Sequence, residues 1–486
     1  MTLPAVVIAA VLAAATSVHF PVSTNDPQAQ TAVDRGLFLY YAYNGDAAAR
    51  SFGEAASREP GLAAAFWGMA LAEGPDPNTP MTAAHFEAAQ RAIHRAVPLS
   101  GAASERERNF IAIMARRYAG NFADWNADDA AYRDAMTAFA GSSHDENAQL
   151  LAAEALLEHG GLSWQNGRPA SDESRTALEL DAAVLRDDPS NVMANHLCVH
   201  LYDLAPDRTP ALPCAQRLDA AAFPPQAEHL AHMPAHYWIE TGEYRAALAS
   251  SERAYALLLQ LEGTNEDPEH VHRYLRHDVA VGYSAAMMLG NYTTTQLWSA
   301  RMDTAYDTSF DAITALRFGR YSEAYAAPDS AFGNPGVRGI AALHLGHTNE
   351  ANAIAARLAG NPPARGYLPQ LFLARVAEAD GRPAEAQRWI AQAAANQSTD
   401  FSGELIPLVP AEEVRGFFEL RRGANPQAVA AFTQTLALYP NDPRALYGLA
   451  SALAADGQNA AAATTRARFT QEWEGADTHL DGADLP

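Results

Sequence analysis

The chain is short of thiols, basic charge, strand-forming runs and membrane-length apolar runs, and each shortage excludes something. Cys198 and Cys214 are its only cysteines, so covalent cross-linking is limited to one bridge between them, with two buried thiols as the other reading. Acidic residues outnumber basic ones 57 to 34, a formal charge of −23. No basic patch stands out against that field, which argues against binding to a phosphate backbone. β-Branched stretches of strand length are almost absent, while alanine runs such as Ala47 to Ala49 and Ala460 to Ala463 recur among Leu, Glu, Arg and aromatics. That composition predicts an all-α protein. No phosphate-binding Walker loop, dinucleotide-binding glycine fingerprint or Gly-x-Ser-x-Gly elbow occurs. Cys198 points away from the face shared by His196 and His200, which argues against a Cys–His nucleophile.

Only residues 4–17 form an uncharged apolar run, too short to span a bilayer and followed at once by polar chain. It reads as a secretory signal with small residues at Ala13 to Ala15 for cleavage, although the residues before it lack Lys or Arg. The other reading is a packed N-terminal helix. The expectation is a periplasmic or secreted protein with no membrane span once the signal is removed.

Helix pairs share a punctuation mark, a glycine in the turn followed five residues later by alanine on the second helix. The instances are Gly242/Ala247, Gly319/Ala324, Gly346/Ala351, Gly381/Ala386, Gly423/Ala428 and Gly457/Ala462. Glycine supplies the left-handed turn that ends the first helix, and the small residue lets the second approach closely. From Gly346 onward the glycines are 35, 42 and 34 residues apart, bracketing the 34-residue tetratricopeptide period. Trp67-Gly68 with Ala70, Phe52 with Ala55 and Pro60, and Tyr439-Pro440 before Pro443 fit the same pattern. The predicted fold is a tetratricopeptide-like solenoid of helical hairpins, a right-handed superhelix. Its expected divisions are a signal at 1–17, N-terminal helical repeats at 18–190, histidine-rich repeats at 191–300, C-terminal repeats at 301–480 and a disordered tail at 481–486.

Eight of the 16 histidines fall between His196 and His277, a stretch of 82 residues. They sit on three helical segments: His196 and His200 followed by Asp203; His229, His232 and His236; and His270, His272 and His277. Residues three or four apart share a helix face, so His196/His200, His229/His232 and His232/His236 are each spaced to chelate one ion. Residues seven apart lie about 10.5 Å apart along the axis, so one ion takes only part of each row. Imidazoles with a nearby carboxylate suit copper, zinc or iron rather than magnesium or calcium. A helix begun near Pro225 runs through Pro234, which removes a backbone hydrogen bond and kinks the row; otherwise the helix begins at Met233 and leaves His229 and His232 in a turn.

The blander reading is that the histidines form a hydrogen-bonded polar core or shape a peptide groove. That role suits His85, His94, His144, His159, His344 and His347, and His270 and His272 read as bystanders beside the 263–268 loop. For the cluster it is weaker, because burying five or six imidazoles without partners leaves polar groups unsatisfied at about 1–3 kcal/mol each. Tyr202, Trp238 and Tyr274 are spaced either to line the pocket or to pack in the core.

The strings Phe66-Trp67-Gly68, Asn195-His196 with His200, His229-Leu-Ala-His232-Met233-Pro234-Ala-His236, Phe318-Gly319-Arg320-Tyr321 and Phe469 to Asp477 resemble a bacterial family of exported tetratricopeptide-repeat proteins with a His-Met-Pro-x-His histidine cluster. The resemblance covers about residues 35 to 480 and implies the repeat fold and a metal-type histidine cluster, without defining an activity. The chain departs from the family at Gly45, where relatives carry histidine, at Leu62 to Ala65, where they carry Cys-x-x-Cys, and at Ala280, where a second histidine of the third segment would fall. Asp203 stands where glutamate is expected. Any multi-metal site of the relatives is therefore reduced here.

Two functions follow as expectations. In the first, an exported repeat protein binds a transition metal in its concave groove, with His200, His232 and His236 central, His196, His229 and His277 as further ligands, and Asp203 orienting an imidazole or acting as base; if catalytic, it is a metal-dependent oxidoreductase or hydrolase acting on a small-molecule substrate. In the second, the groove is a scaffold for a protein or peptide partner and holds no metal.

Overall fold

In this computed structural model the described residues are 18–480 except 161–162, 166, 204, 265, 328–334, 361–366 and 398–408. The apolar run at 4–17 and the tail at 481–486 lie outside the described residues. Helices dominate: among the described residues there are 24 α-helices, and the strands are a two-residue hairpin, β1 (Trp164–Gln165) against β2 (Arg168–Pro169). No helix among the described residues is long and apolar enough to cross a membrane.

Packing divides the chain into two units, Met1–Tyr237 with Arg253–Tyr274, and Trp238–Glu252 with Leu275–Pro486. The first unit is a series of antiparallel hairpins: α1 (Pro27–Tyr41) on α2 (Gly45–Arg58), α3 (Ala63–Ala72) on α4 (Ala83–Leu99), α5 (Glu105–Arg117) on α6 (Trp125–Ser143), α7 (Glu146–Gly160) on α8 (Asp172–Asp187), and α9 (Val192–Tyr202) on α10 (Leu212–Ala220). Three further helices, α11 (Glu228–Thr241), α12 (Tyr244–Glu262) and α13 (Pro268–Met288), carry residues of both units. Side-chain caps fix several starts. Ser104 and Glu107 form a reciprocal capping box at α5, and the side chain of Asn191 accepts from the amide of Ala194 at α9.

All six turn glycines read from the sequence have positive φ, between +67° and +82°, and all six alanines five residues on are buried. Gly290, with φ +67°, uses the same turn with buried Thr295 in place of alanine, which hid it from the pattern. The hairpins interlock through a second device. Glycines on first helices make room for an aromatic on the second: Phe52 lies between Gly36 and Gly68, and Phe432 between Gly416 and Gly448. Each such ring is fully buried, so the space left by two missing side chains is filled by one.

The first core is built around Phe20, stacked on Trp67 at 4.6 Å and edge-on to Phe110 at 5.1 Å. In the second unit Phe417, Phe432 and Leu480 pack with Phe469 and Trp473. There Asp477 accepts from the amides of Tyr292 and Thr293, which gives the Phe469-to-Asp477 string a structural role as a helix cap.

Candidate metal centre

Helix α9 places His196 and His200 one turn apart on one face and Cys198 on the other. Cys198 is disulfide-bonded to Cys214 on α10, with Cα atoms 6.3 Å apart, which pins the helix from behind. The histidine face turns inward. His196 is fully buried and its Nδ1 donates to the carbonyl oxygen of Tyr41, the last residue of α1, at 2.8 Å. A ring that donates from Nδ1 presents a bare Nε2, and this is the arrangement in which protein imidazoles bind metals.

That Nε2 lies 3.2 Å from Nε2 of His229 on α11. Nε2 of His200, also buried, has no hydrogen-bond partner among the described residues. His196, His200 and His229 each offer one nitrogen, and the three lie within 4.8 Å of one another. Nitrogens bound at 2.0–2.1 Å to a tetrahedral ion would be about 3.3 Å apart, close to the separation observed between His196 and His229. The donor set fits a transition metal, with a buried polar atom left over that an ion would satisfy.

Burial dominates the electrostatics. It drives His196 well below the ordinary imidazole range, with the neighbouring His200 adding to the effect and the Tyr41 carbonyl opposing it. Burial likewise lowers His200 to about 4, against the pull of the Asp76 carboxylate. Both rings are therefore neutral at pH 7, with lone pairs available to a metal.

Helix α11 runs from Glu228 through Pro234, so His229 and His232 are helical, as the longer of the two readings required. His232 and His236 bring their Nε2 atoms within 3.0 Å. Ring contacts of 6.0 Å between His229 and His232 and 6.1 Å between His200 and His236 join the two groups into one set of five imidazoles. Four of the five are interior groups rather than the lining of an open groove: His196, His229 and His232 are fully buried, and His236 is 2% exposed, while the His200 side chain is 9% exposed. Asp203 sits at the end of α9 with a carboxylate oxygen 3.5 Å from Nδ1 of His200. His277 and Trp238 belong to the second unit, on α13 and α11. Tyr202 faces Trp164 at 5.8 Å.

Two residues of the site, Tyr43 and His270, were not read as part of it from the sequence, whereas Tyr274 was one of the aromatics spaced to line it. Tyr43 packs on three of the imidazoles, with ring centroids 4.4 Å from His196, 5.4 Å from His229 and 5.8 Å from His200. Its φ is +55°, in the left-handed region that Gly242, Gly290, Gly319 and the later turn glycines occupy, and Ala48, five residues on, is buried like the residues five beyond those glycines. A bulky side chain there costs about 1–2 kcal/mol of backbone strain. The signal in the sequence was a hairpin turn whose glycine is replaced by tyrosine. His270, set aside as a bystander, is 2% exposed and bonded through Nε2 to Glu228 Oε1 at 2.9 Å. Tyr274, at 4.7 Å from His229 and 4.5 Å from His270, links the two.

Beside this cluster lies a cavity of about 40 Å³, walled by Tyr40, Tyr43, Asp76, His270 and Arg273 among others. His85, bonded to Glu73 at 2.8 Å as a plain inter-helix histidine would be, also faces it. Asp76 is raised to about 6, by burial above all, against the amide of Asn78 and the hydroxyl of Thr79. The space is enough for one or two water-sized molecules.

No family model matches the chain, and no curated protein matches it. Among solved structures it is similar to the crystal structure of the APC/C hetero-tetramer Cut9–Hcn1, at 12% identity over 82% of this chain and 78% of that one, with a TM-score of 0.37. The human IFIT1 dimer with m7Gppp-AAAA is similar at 13% identity over 92% and 90%, with a TM-score of 0.32. The P58(IPK) TPR domain is similar at 12% identity over 88% and 98%, with a TM-score of 0.24.

Proposed function

We propose that this helical-hairpin repeat protein binds a transition metal ion (zinc, copper or iron) through His196, His200 and His229, with His232 and His236 completing the imidazole set. The observation that carries the reading is the facing pair of Nε2 atoms at 3.2 Å, one of them on a ring whose other nitrogen is already committed to a backbone carbonyl, beside a buried and unbonded His200 Nε2. Without an ion, that arrangement leaves a buried polar atom at a cost of about 1–3 kcal/mol.

The chain's own groups have definable work. The Tyr41 carbonyl fixes the orientation and tautomer of His196, and Asp203 is placed to do the same for His200 or to act as a base. Tyr43 and Tyr274 exclude bulk water from the imidazoles, and the adjoining cavity limits what reaches them to small molecules. A bound ion would supply Lewis acidity and, if copper or iron, one-electron chemistry; an oxidoreductase or a hydrolase is the corresponding enzyme class. Export to an oxidising compartment is part of the proposal, supported by the Cys198–Cys214 disulfide.

Elemental analysis of the untagged full chain from its native compartment, beside the His196→Gln/His229→Gln variant, tests the proposal. A stoichiometric metal that disappears in the variant is the expected result. No metal, or equal metal in both, overturns it and leaves a protein- or peptide-binding scaffold.

A further inference from the structure

Two phenols stand in the wall of the cavity beside the imidazoles, and they differ. The Tyr40 hydroxyl donates to Glu154 Oε2 on α7 at 2.5 Å. The Tyr43 hydroxyl is buried and bonds to nothing among the described residues, and the residue as a whole is 2% exposed. Its ring lies against His196, His200 and His229, while its oxygen feels carboxylates: burial first, then Glu154 and Asp76, push it well above the ordinary phenol range. An orphaned oxygen on a side chain already held at positive φ is costly twice over, and a place in a cavity wall is where a ligand can offset both costs.

The rest of the wall selects the charge of that ligand. Asp46, Glu73, Asp76 and Glu269 bring four carboxyl groups to the cavity against one guanidinium, that of Arg273. Arg273 donates to the Thr79 hydroxyl at 2.9 Å, and the two wall imidazoles are each engaged with a carboxylate, His85 with Glu73 and His270 with Glu228. A cation is therefore the favoured occupant. Among the described residues no three of these wall carboxylates and imidazoles gather their donor atoms within 4.8 Å of one another, so the wall does not close around a metal ion. Acceptors this dispersed suit a group whose N–H donors point apart, as those of a primary ammonium do. A space for two water-sized groups takes the nitrogen and first carbon of an alkylamine, and the exposed rim at Asp46, Pro80 and Glu269 leaves an exit for a longer tail.

We infer that this cavity binds the primary ammonium group of a small alkylamine, with the Tyr43 oxygen and the Asp76 carboxylate accepting its N–H bonds. The ammonium satisfies the orphaned phenol oxygen and the excess of carboxylates together, whereas water, being neutral, answers only the first. A cation beside Asp76 also offsets the burial that raises it. The amine then lies against a side chain whose ring packs on three of the imidazoles. That the amine is the substrate of a bound metal rests on the metal reading; its binding does not.

Nuclear magnetic resonance titration of the metal-free full chain with methylammonium at pH 7.5 provides the test, with tetramethylammonium as the probe of charge alone. A chain of formal charge −23 attracts any cation, but only methylammonium has N–H donors and the size to enter. The expected result is saturable binding of methylammonium, none of tetramethylammonium, and an affinity at least tenfold lower in Tyr43→Phe and in Asp76→Asn, each of which keeps the shape of the side chain it replaces. No saturable methylammonium binding to the wild type overturns the proposal and leaves a cavity for water. So does tetramethylammonium binding of equal strength, or an unchanged affinity in either variant. The two-probe comparison in the wild type decides the matter even where a variant fails to fold. Because metal plays no part in the measurement, its failure leaves the metal reading standing, and a metal-free protein in elemental analysis leaves the ammonium site standing.

Discussion

Replacing Gly68 with alanine sets a gain in helix propensity against a steric clash, and the structure says which wins. In an open helix position Gly→Ala stabilises by about 0.5–1 kcal/mol. At Gly68 the added Cβ would lie 2.2 Å from Cδ1 and 2.3 Å from Cε1 of Phe52, where carbon contacts prefer about 3.5–4.0 Å. Phe52 has little room to retreat, because the ring is fully buried and packed against the backbone of both Gly36 and Gly68. Overpacking of this kind costs about 1–3 kcal/mol, which outweighs the propensity gain. Gly53 is the internal control: it lies in α2 beside Phe52, and a Cβ there meets nothing within 4 Å. Gly53→Ala is therefore expected to stabilise by about 0.5–1 kcal/mol while Gly68→Ala gains the same propensity but loses it to overpacking, so the two differ by about 1–3 kcal/mol. Urea unfolding followed by circular dichroism measures both, with the shift confined to the transition of the first unit. Equal stability of the two variants would refute the interlock between neighbouring hairpins.

Reduction of the Cys198–Cys214 bridge, whose ends are 16 residues apart, should lower stability by about 3 kcal/mol, read as a lower urea midpoint in reductant; an unchanged midpoint would show that the bridge constrains nothing. His200 is held near pH 4 in the fold against 6.5 unfolded, so the unfolded chain is the better proton binder between those values. Its contribution, about 3 kcal/mol, is complete above pH 6.5 and lost as pH falls towards 4; His200→Gln should flatten that part of the metal-free stability profile, and an identical slope would refute the assignment. Arg117→Met leaves Glu158 and Asp129 without their cation and should cost about 3–5 kcal/mol by chemical denaturation; a loss below about 1 kcal/mol would mean that the carboxyls do not depend on it.

What could be read from the chain divides along a physical line. Local periodicity carried the helical hairpins, because the need for positive φ selects glycine at Gly242, Gly319 and their fellows whatever surrounds them. The same local rule brought His196 together with His200 and His232 with His236, since helical spacing alone aligns them. Residues that act against local preference stayed hidden. Tyr43 breaks the glycine rule at its own turn, and only the three imidazoles against its ring show what the strain accompanies. His270 was invisible for a different reason: its partner Glu228 lies 42 residues earlier, and no helical period connects them. Asp76, Glu154 and Tyr40 come from loops and helices far apart in sequence, where pairing depends on packing rather than pattern.

The first unit is interrupted in the chain. Its polypeptide departs after Tyr237, returns at Arg253 and is complete only at Tyr274. A ribosome therefore finishes all five imidazoles of α9 and α11 before it has made His270 or Tyr274. Until then Glu228, which is fully buried in the finished fold, lacks the partner that justifies its place. A fragment ending at residue 237 would lack both of these side chains and leave Glu228 without His270.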